Sequence, residues 1–80
     1  MKTVYLLQSI AEPQQRYVGI ASDIESRLEE HNAGKSPHTS KHKPWKLVAF
    51  IGFEGDGRAV AFEQYLKSGS GHAFANKHLW

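Results

Sequence analysis

Eighty residues, 40% of them hydrophobic and 11% aromatic, with a formal net charge of +2, make a single domain over 1–80 and exclude a disordered tail. The absence of cysteine excludes a disulfide scaffold and any thiolate zinc site, and it fits a reducing, cytoplasmic location. No apolar run approaches the roughly 20 residues that span a bilayer, and the N-terminus shows no cleavage-site pattern, so neither a membrane partner nor a signal peptide is expected.

The first predicted element is a strand over residues 2 to 9, rich in β-formers (Thr3, Val4, Tyr5, Leu6, Leu7). Pro13 fixes a turn in the polar stretch Ala11 to Gln15, and Arg16 to Ala21 reads as a second strand. The short connection favours an antiparallel hairpin, which places Tyr5 opposite or diagonal to residues 17 to 19 and sets Tyr5 beside Tyr17. Ser22-Asp23-Ile24-Glu25 has the Ser-x-x-Glu form of a capping box and starts a helix. Ile24 and Leu28 make its buried stripe, Arg27 and His31 share the flank beside it, and Asn32-Ala33-Gly34 ends it.

A basic loop with Pro37 follows, and Pro44 introduces a strand from Trp45 to Phe53. Its long apolar stretch suits a central position, buried on both faces. After a glycine-containing turn, Asp56 is a candidate N-cap. Ala59, Phe62, Glu63 and Leu66 then follow helical spacing. Ser68-Gly69-Ser70-Gly71 breaks this helix, and His72 to Leu79 forms a short terminal helix carrying Phe74. The fold class is α/β, a three-stranded, mainly antiparallel sheet flanked by helices in the order β-β-α-β-α-α.

Charge is unevenly spread. From His31 to Phe53 there is no acid, while Lys35, Lys41, Lys43 and Lys46 stand there with His38 and His42 between them. Such a segment suits a polyanion, although a solvated loop with ordinary lysines has the same composition. The five histidines lack the spacing of a zinc site, and the Gly69-Ser70-Gly71-His72 run lacks the lysine of a phosphate loop.

Glu63 is the acid without a local structural reason. A carboxylate on an apolar helix face must be paired, exposed at a rim or bound to a cation. Periodicity alone leaves a rim carboxylate or an ion pair with Arg27 as the commoner outcome. Mg²⁺ keeps most of its waters and takes one or two protein carboxylates, so one lone acid suits a one-metal site. For a proton acceptor at neutral pH, histidine is ready, whereas a tyrosine is only about 0.1% ionised.

Thr3-Val4-Tyr5, then Tyr17-Val18-Gly19, then Arg27-Leu28-x2-His31-Asn32 and a later helical Glu63 resemble the GIY-YIG endonuclease domain, in particular its small stand-alone bacterial members. The resemblance runs from Thr3 to about Phe74, with Thr-Val-Tyr standing where the family name has Gly-Ile-Tyr. It implies a metal-dependent endonuclease that hydrolyses phosphodiester bonds in DNA, in repair, recombination or processing, with one Mg²⁺ or Mn²⁺ and no small-molecule cofactor. Glu63 would then hold the metal, Arg27 would clamp the scissile phosphate, Tyr5 would act as base and Tyr17 would position water or phosphate. His31 would be an accessory or competing base, and Gly19 matches the motif glycine. His38-Thr39-Ser40-Lys41 resembles a phosphate-contacting loop, and Asn76 matches a downstream asparagine. DNA would dock on Lys35, Thr39, Lys41, Lys43 and Lys46. The alternative is a DNA-binding module of the same fold with little or no catalysis.

Overall fold

The computed structural model describes residues 1–80. Strands β1 (Lys2–Ser9) and β2 (Arg16–Ala21) precede helix α1 (Ile24–Asn32), strand β3 (Trp45–Phe53) and helices α2 (Asp56–Leu66) and α3 (Gly69–His78). A single 3-10 turn, Ser40–His42, lies in the loop before β3. The three strands are all antiparallel in the order β2-β1-β3.

The central strand is therefore β1 and not β3, contrary to the reading of the apolar run. Val4, Tyr5, Leu6 and Leu7 are all buried, which only a strand with neighbours on both edges and layers on both faces achieves. In β3 the run is longer, but Lys46 and Phe50 are exposed, Phe50 at 58%. Run length does not distinguish an edge from a centre when half of the residues face outward. A bulge lets Leu6 face Ala49 and Leu7 face Leu47, so Val48 is the extra residue.

Alternation along β1 divides the interior into two layers. Val4 and Leu6 meet Ala59 and Leu66 of α2 and Ala75 of α3. Tyr5 and Leu7 point the other way, to Ala21, Trp45 and the half-buried Ile24 and Leu28 of α1. The sheet thus lies between α1 on one face and α2 with α3 on the other.

The helix starts differ from the expected caps in detail. Asp23, not Ser22, caps α1: one carboxylate oxygen accepts the Ser26 N–H at 3.2 Å and the other accepts the Ser26 hydroxyl at 3.0 Å. A carboxylate is the stronger acceptor, and its charge opposes the positive end of the helix. Those hydrogen bonds, the backbone one first, hold the Asp23 carboxyl below its usual range. Gly34 follows α1 at φ +77°, where a Cβ would be strained. Gly55 takes the cap position of α2, which leaves Asp56 in the first turn.

The Ser68-to-Gly71 run does not merely interrupt. Ser68 accepts the Gly71 N–H at 3.2 Å and starts α3. Gly71 is buried there because a Cβ would overlap the Tyr65 carbonyl of α2. Phe74 stays 37% exposed, stacked edge-on to Phe62, and the C-terminal Trp80 lies beneath the Arg16 guanidinium at 4.8 Å.

Candidate active site

The β1–β2 register sets Tyr5 opposite Gly19 and Leu7 opposite Tyr17. The two tyrosines are diagonal neighbours on one face, with ring centroids 6.2 Å apart, as the hairpin spacing requires. Gly19 has a reason in this register. A Cβ there would fall 2.5 Å from Tyr5 Cζ and 2.9 Å from Tyr17 Cε2. The missing side chain makes room for the Tyr5 ring.

Helix α1 closes over this face through Ile24 and Leu28, so residues one turn apart on its flank are delivered to the tyrosines. His31 is fully buried, its ring 5.9 Å from that of Tyr5 and 5.0 Å from that of Tyr17. His31 Nε2 lies 3.0 Å from Tyr5 Oη, and His31 Nδ1 lies 2.7 Å from Thr39 Oγ1. Burial, and then the positive charge of Arg27, lower the His31 pKa from 6.5, so the imidazole is neutral at neutral pH. Burial raises the Tyr5 phenol, against the pull of the adjacent Arg27. Arg27 gives one terminal nitrogen to Glu30 at 3.1 Å. Its Nε is buried without a hydrogen-bond partner. The Tyr5 oxygen beside the guanidinium is the main reason its pKa is raised further. A buried guanidinium N–H without an acceptor is an open valence for an anion.

Four of the five sequence-derived catalytic residues, Tyr5, Tyr17, Arg27 and His31, thus form one cluster. Glu63 does not join it. It stands on α2, its side chain 14% exposed, in an ion pair with Lys67 one turn on, and it makes no hydrogen bond or ion pair with Tyr5, Tyr17, Arg27 or His31. Its partner Lys67 lines a cleft of about 380 Å³ that also includes Tyr17, Arg16, His72, Asn76 and Trp80. Asn76 accepts a hydrogen bond from Arg16 at 3.0 Å at the rim of that cleft. Tyr17 is the one residue shared by the buried cluster and the cleft.

One carboxylate near the cleft could take a cation that keeps its own waters, and Lys67 now holds that carboxylate. Glu63 is a single half-buried carboxylate, and no group of three or more His, Asp or Glu exists for a metal that sheds its water.

The loop after α1 divides. Lys35, Lys41, Lys43, Lys46 and His38 are exposed, as a docking surface requires. Thr39 is not. It is fully buried, its hydroxyl engaged by His31 and its carbonyl accepting the Trp45 indole N–H at 2.9 Å, so it cannot reach a phosphate as expected. Its contact with His31 carries no periodic signal, because a loop closes it. Asn32 was also missed as more than a helix end. Its side chain brackets the Trp45 backbone, donating to the carbonyl at 3.1 Å and accepting from the N–H at 2.5 Å. That pairing ties the end of α1 to the start of β3 and folds the loop back onto His31.

The family model of the GIY-YIG catalytic domain matches residues 1–77. Among curated proteins, the chain is similar to a structure-specific endonuclease subunit, SLX1, of Candida dubliniensis, 34% identical over 95% of this chain and 28% of the relative. The SLX1 subunit of Kluyveromyces lactis is 39% identical over 74% of this chain and 23% of its own length. A UPF0213 protein of Lactococcus lactis is 36% identical over 79% of this chain and 63% of its own. The chain thus spans about a quarter of the length of these SLX1 relatives. With a family match over nearly its whole length, on a sheet that sets the two motif tyrosines side by side, the chain belongs to the GIY-YIG catalytic domain family.

Proposed function

We propose that this chain is a metal-dependent DNA endonuclease, acting in repair, recombination or processing of DNA. The observation that carries the reading is the convergence of Tyr5, Tyr17, Arg27 and His31 on one face, with a buried Arg27 Nε left for an anion. Glu63 would hold one Mg²⁺ or Mn²⁺, which supplies charge for the phosphate oxygens and makes a bound water more acidic.

Arg27 donates to the phosphate as negative charge builds on it, a task suited to its planar fork. Tyr5, once ionised with its proton lost to solvent, takes a proton from the attacking water as the new P–O bond forms. The deoxyribose oxygen leaves as its P–O bond breaks, and it is protonated by solvent. Tyr17 stands between the buried cluster and the cleft and orients the phosphate or the water. Lys35, Lys41, Lys43 and Lys46 hold the flanking backbone. No small-molecule cofactor enters the scheme.

The Glu63–Lys67 ion pair favours a second reading, a DNA-binding module with little catalysis, because the lysine competes for the carboxylate that a cation needs. One experiment separates the two. Branched, flapped, single-stranded and duplex DNA are incubated with Mg²⁺ or Mn²⁺ and either the parent chain or Glu63→Gln. Cleavage by the parent that is lost in the folded variant is the expected result. Cleavage by neither, with DNA binding retained, establishes the second reading. Undiminished cleavage by Glu63→Gln removes Glu63 from the site.

A further inference from the structure

Two buried hydroxyls compete for one imidazole. Tyr5 Oη meets His31 Nε2 at 3.0 Å, and Thr39 Oγ1 meets His31 Nδ1 at 2.7 Å. The Thr39 hydroxyl has no other hydrogen-bond partner within the chain, whereas the Tyr5 oxygen also lies beside the Arg27 guanidinium, which can only donate. His31 is neutral, so its ring carries one proton. The three groups hold three protons between them for two hydrogen bonds, and one O–H must be left without an acceptor.

Which hydroxyl is left over decides the chemistry. If Nδ1 carries the ring proton, Thr39 accepts it and its own O–H is stranded, while Tyr5 gives its O–H to Nε2. If Nε2 carries the proton, Thr39 donates to Nδ1 and Tyr5 accepts from Nε2. The Thr39 hydroxyl has no outlet. The residue is fully buried, its N–H is bound to the Ser36 carbonyl at 3.2 Å, and its carbonyl is held by the Trp45 indole. A stranded buried donor bears its full desolvation cost. The Tyr5 proton is the one that the proposed chemistry releases to solvent before the water is activated, so it has an outlet that the Thr39 proton lacks. Arg27, beside the same oxygen, also favours the arrangement in which the oxygen accepts.

We propose that Thr39 is a positioning residue that fixes His31 as the Nε2–H tautomer, so that His31 donates to Tyr5 Oη and is itself no base. This rests on Tyr5 being the base of the proposed nuclease. The groups facing the imidazole are Tyr5 from β1, Tyr17 from β2, Arg27 and Glu30 from α1, and Thr39 from the loop. Of these only the Thr39 hydroxyl lies within hydrogen-bond reach of Nδ1, and the Glu30 carboxylate is engaged by Arg27. A phenolate at Tyr5 then receives a hydrogen bond it would otherwise lack, which lowers the cost of ionising a buried phenol.

The test reads protonation directly. Imidazole ¹⁵N spectra of the intact, metal-free chain are expected to show His31 protonated at Nε2 and bare at Nδ1. In Thr39→Val the ring is expected to shift toward the Nδ1–H form, the Tyr5 Cζ titration to move to higher pH, and single-turnover cleavage to fall by about 10- to 100-fold, part of the usual range for acid–base catalysis. Thr39→Ser should restore all three. An Nδ1–H signal in the parent overturns the proposal and makes His31 the acceptor of the Tyr5 proton. An unchanged tautomer and Tyr5 titration in a folded Thr39→Val also overturn it and reduce Thr39 to packing. The parent spectrum decides the tautomer even if the valine variant fails to fold. The spectra stand whether or not the chain cleaves DNA, so a failed nuclease reading and a failed tautomer remain distinct.

Discussion

Gly19 carries the most constrained residue-scale contact at the site, since any side chain there would displace the Tyr5 ring. Gly19→Ala is expected to cost about 1–3 kcal/mol in urea denaturation, the usual range for overpacking, and to lower single-turnover cleavage by about 10²-fold because the Tyr5 hydroxyl moves. Equal cleavage rates for variant and parent would show that Tyr5 is not needed where it stands. His31 gives a pH dependence with a definite sign. Its folded pKa lies below the ordinary 6.5, so the unfolded chain binds the proton more readily. Its contribution is complete above 6.5 and is lost as pH falls below that value toward the lowered folded pKa. Thermal melts of parent and His31→Gln across this range are expected to converge on the acid side. Parallel curves would mean that His31 charges freely. The two pairs of the cluster were legible from sequence because they lie on three regular elements with known periods, and the family resemblance is what joins the pairs. The resemblance of His38-Thr39-Ser40-Lys41 to a phosphate-contacting loop sets Thr39 outward, whereas the Asn32–Trp45 bracket and the bonds to His31 and the Trp45 indole hold it inward.

Most elements were legible to within a residue or two, α3 starts three residues before the expected His72, and the differences have local causes. Asp23 displaced Ser22 as the cap because its charged oxygens serve two donors of Ser26. The run at Ser68 was read as a break since glycine is a poor helix former, yet tertiary contact overrides that propensity where α3 presses on α2. Gly71→Ala is accordingly expected to be destabilising, by about 1–3 kcal/mol or more, although alanine favours helices by up to about 1 kcal/mol. Gly69→Ala, with nothing within 4 Å of its Cβ, is expected to be neutral or stabilising. Chemical denaturation of the pair checks the contrast, and a stable Gly71→Ala would mean that the α2–α3 junction is not closely packed. The error over β3 has another origin. Hydrophobic content reports how much of a strand is apolar, whereas centrality depends on which strands pair with it, and pairing is not written in either strand alone.

At the scale of the whole molecule, the cationic loop stands apart from the buried cluster it helps to shape. Lys35, Lys41, Lys43 and Lys46 are exposed while Thr39 among them is buried against His31, so one segment presents charge outward and a hydroxyl inward. Each lysine that neutralises a phosphate should add about 0.9 to the log–log salt slope of duplex binding. Replacing Lys41 and Lys43 together by Ala, on a Glu63→Gln background, is expected to flatten that slope by up to about 2 for all sequences alike. A salt titration of affinity measures it, and an unchanged slope would move the DNA to the cleft of Arg16 and Lys67. The two-faced central strand has a consequence of its own. Tyr5 and Leu7 face the α1 layer and Val4 and Leu6 face the α2–α3 layer, so a slip of one residue in pairing would turn the phenol in among Ala59, Leu66 and Ala75, away from Tyr17 and His31. Chains that pair wrongly thus lose the packing and the tyrosine–histidine cluster together, and a molecule firm enough to last is one whose tyrosine already faces the right way.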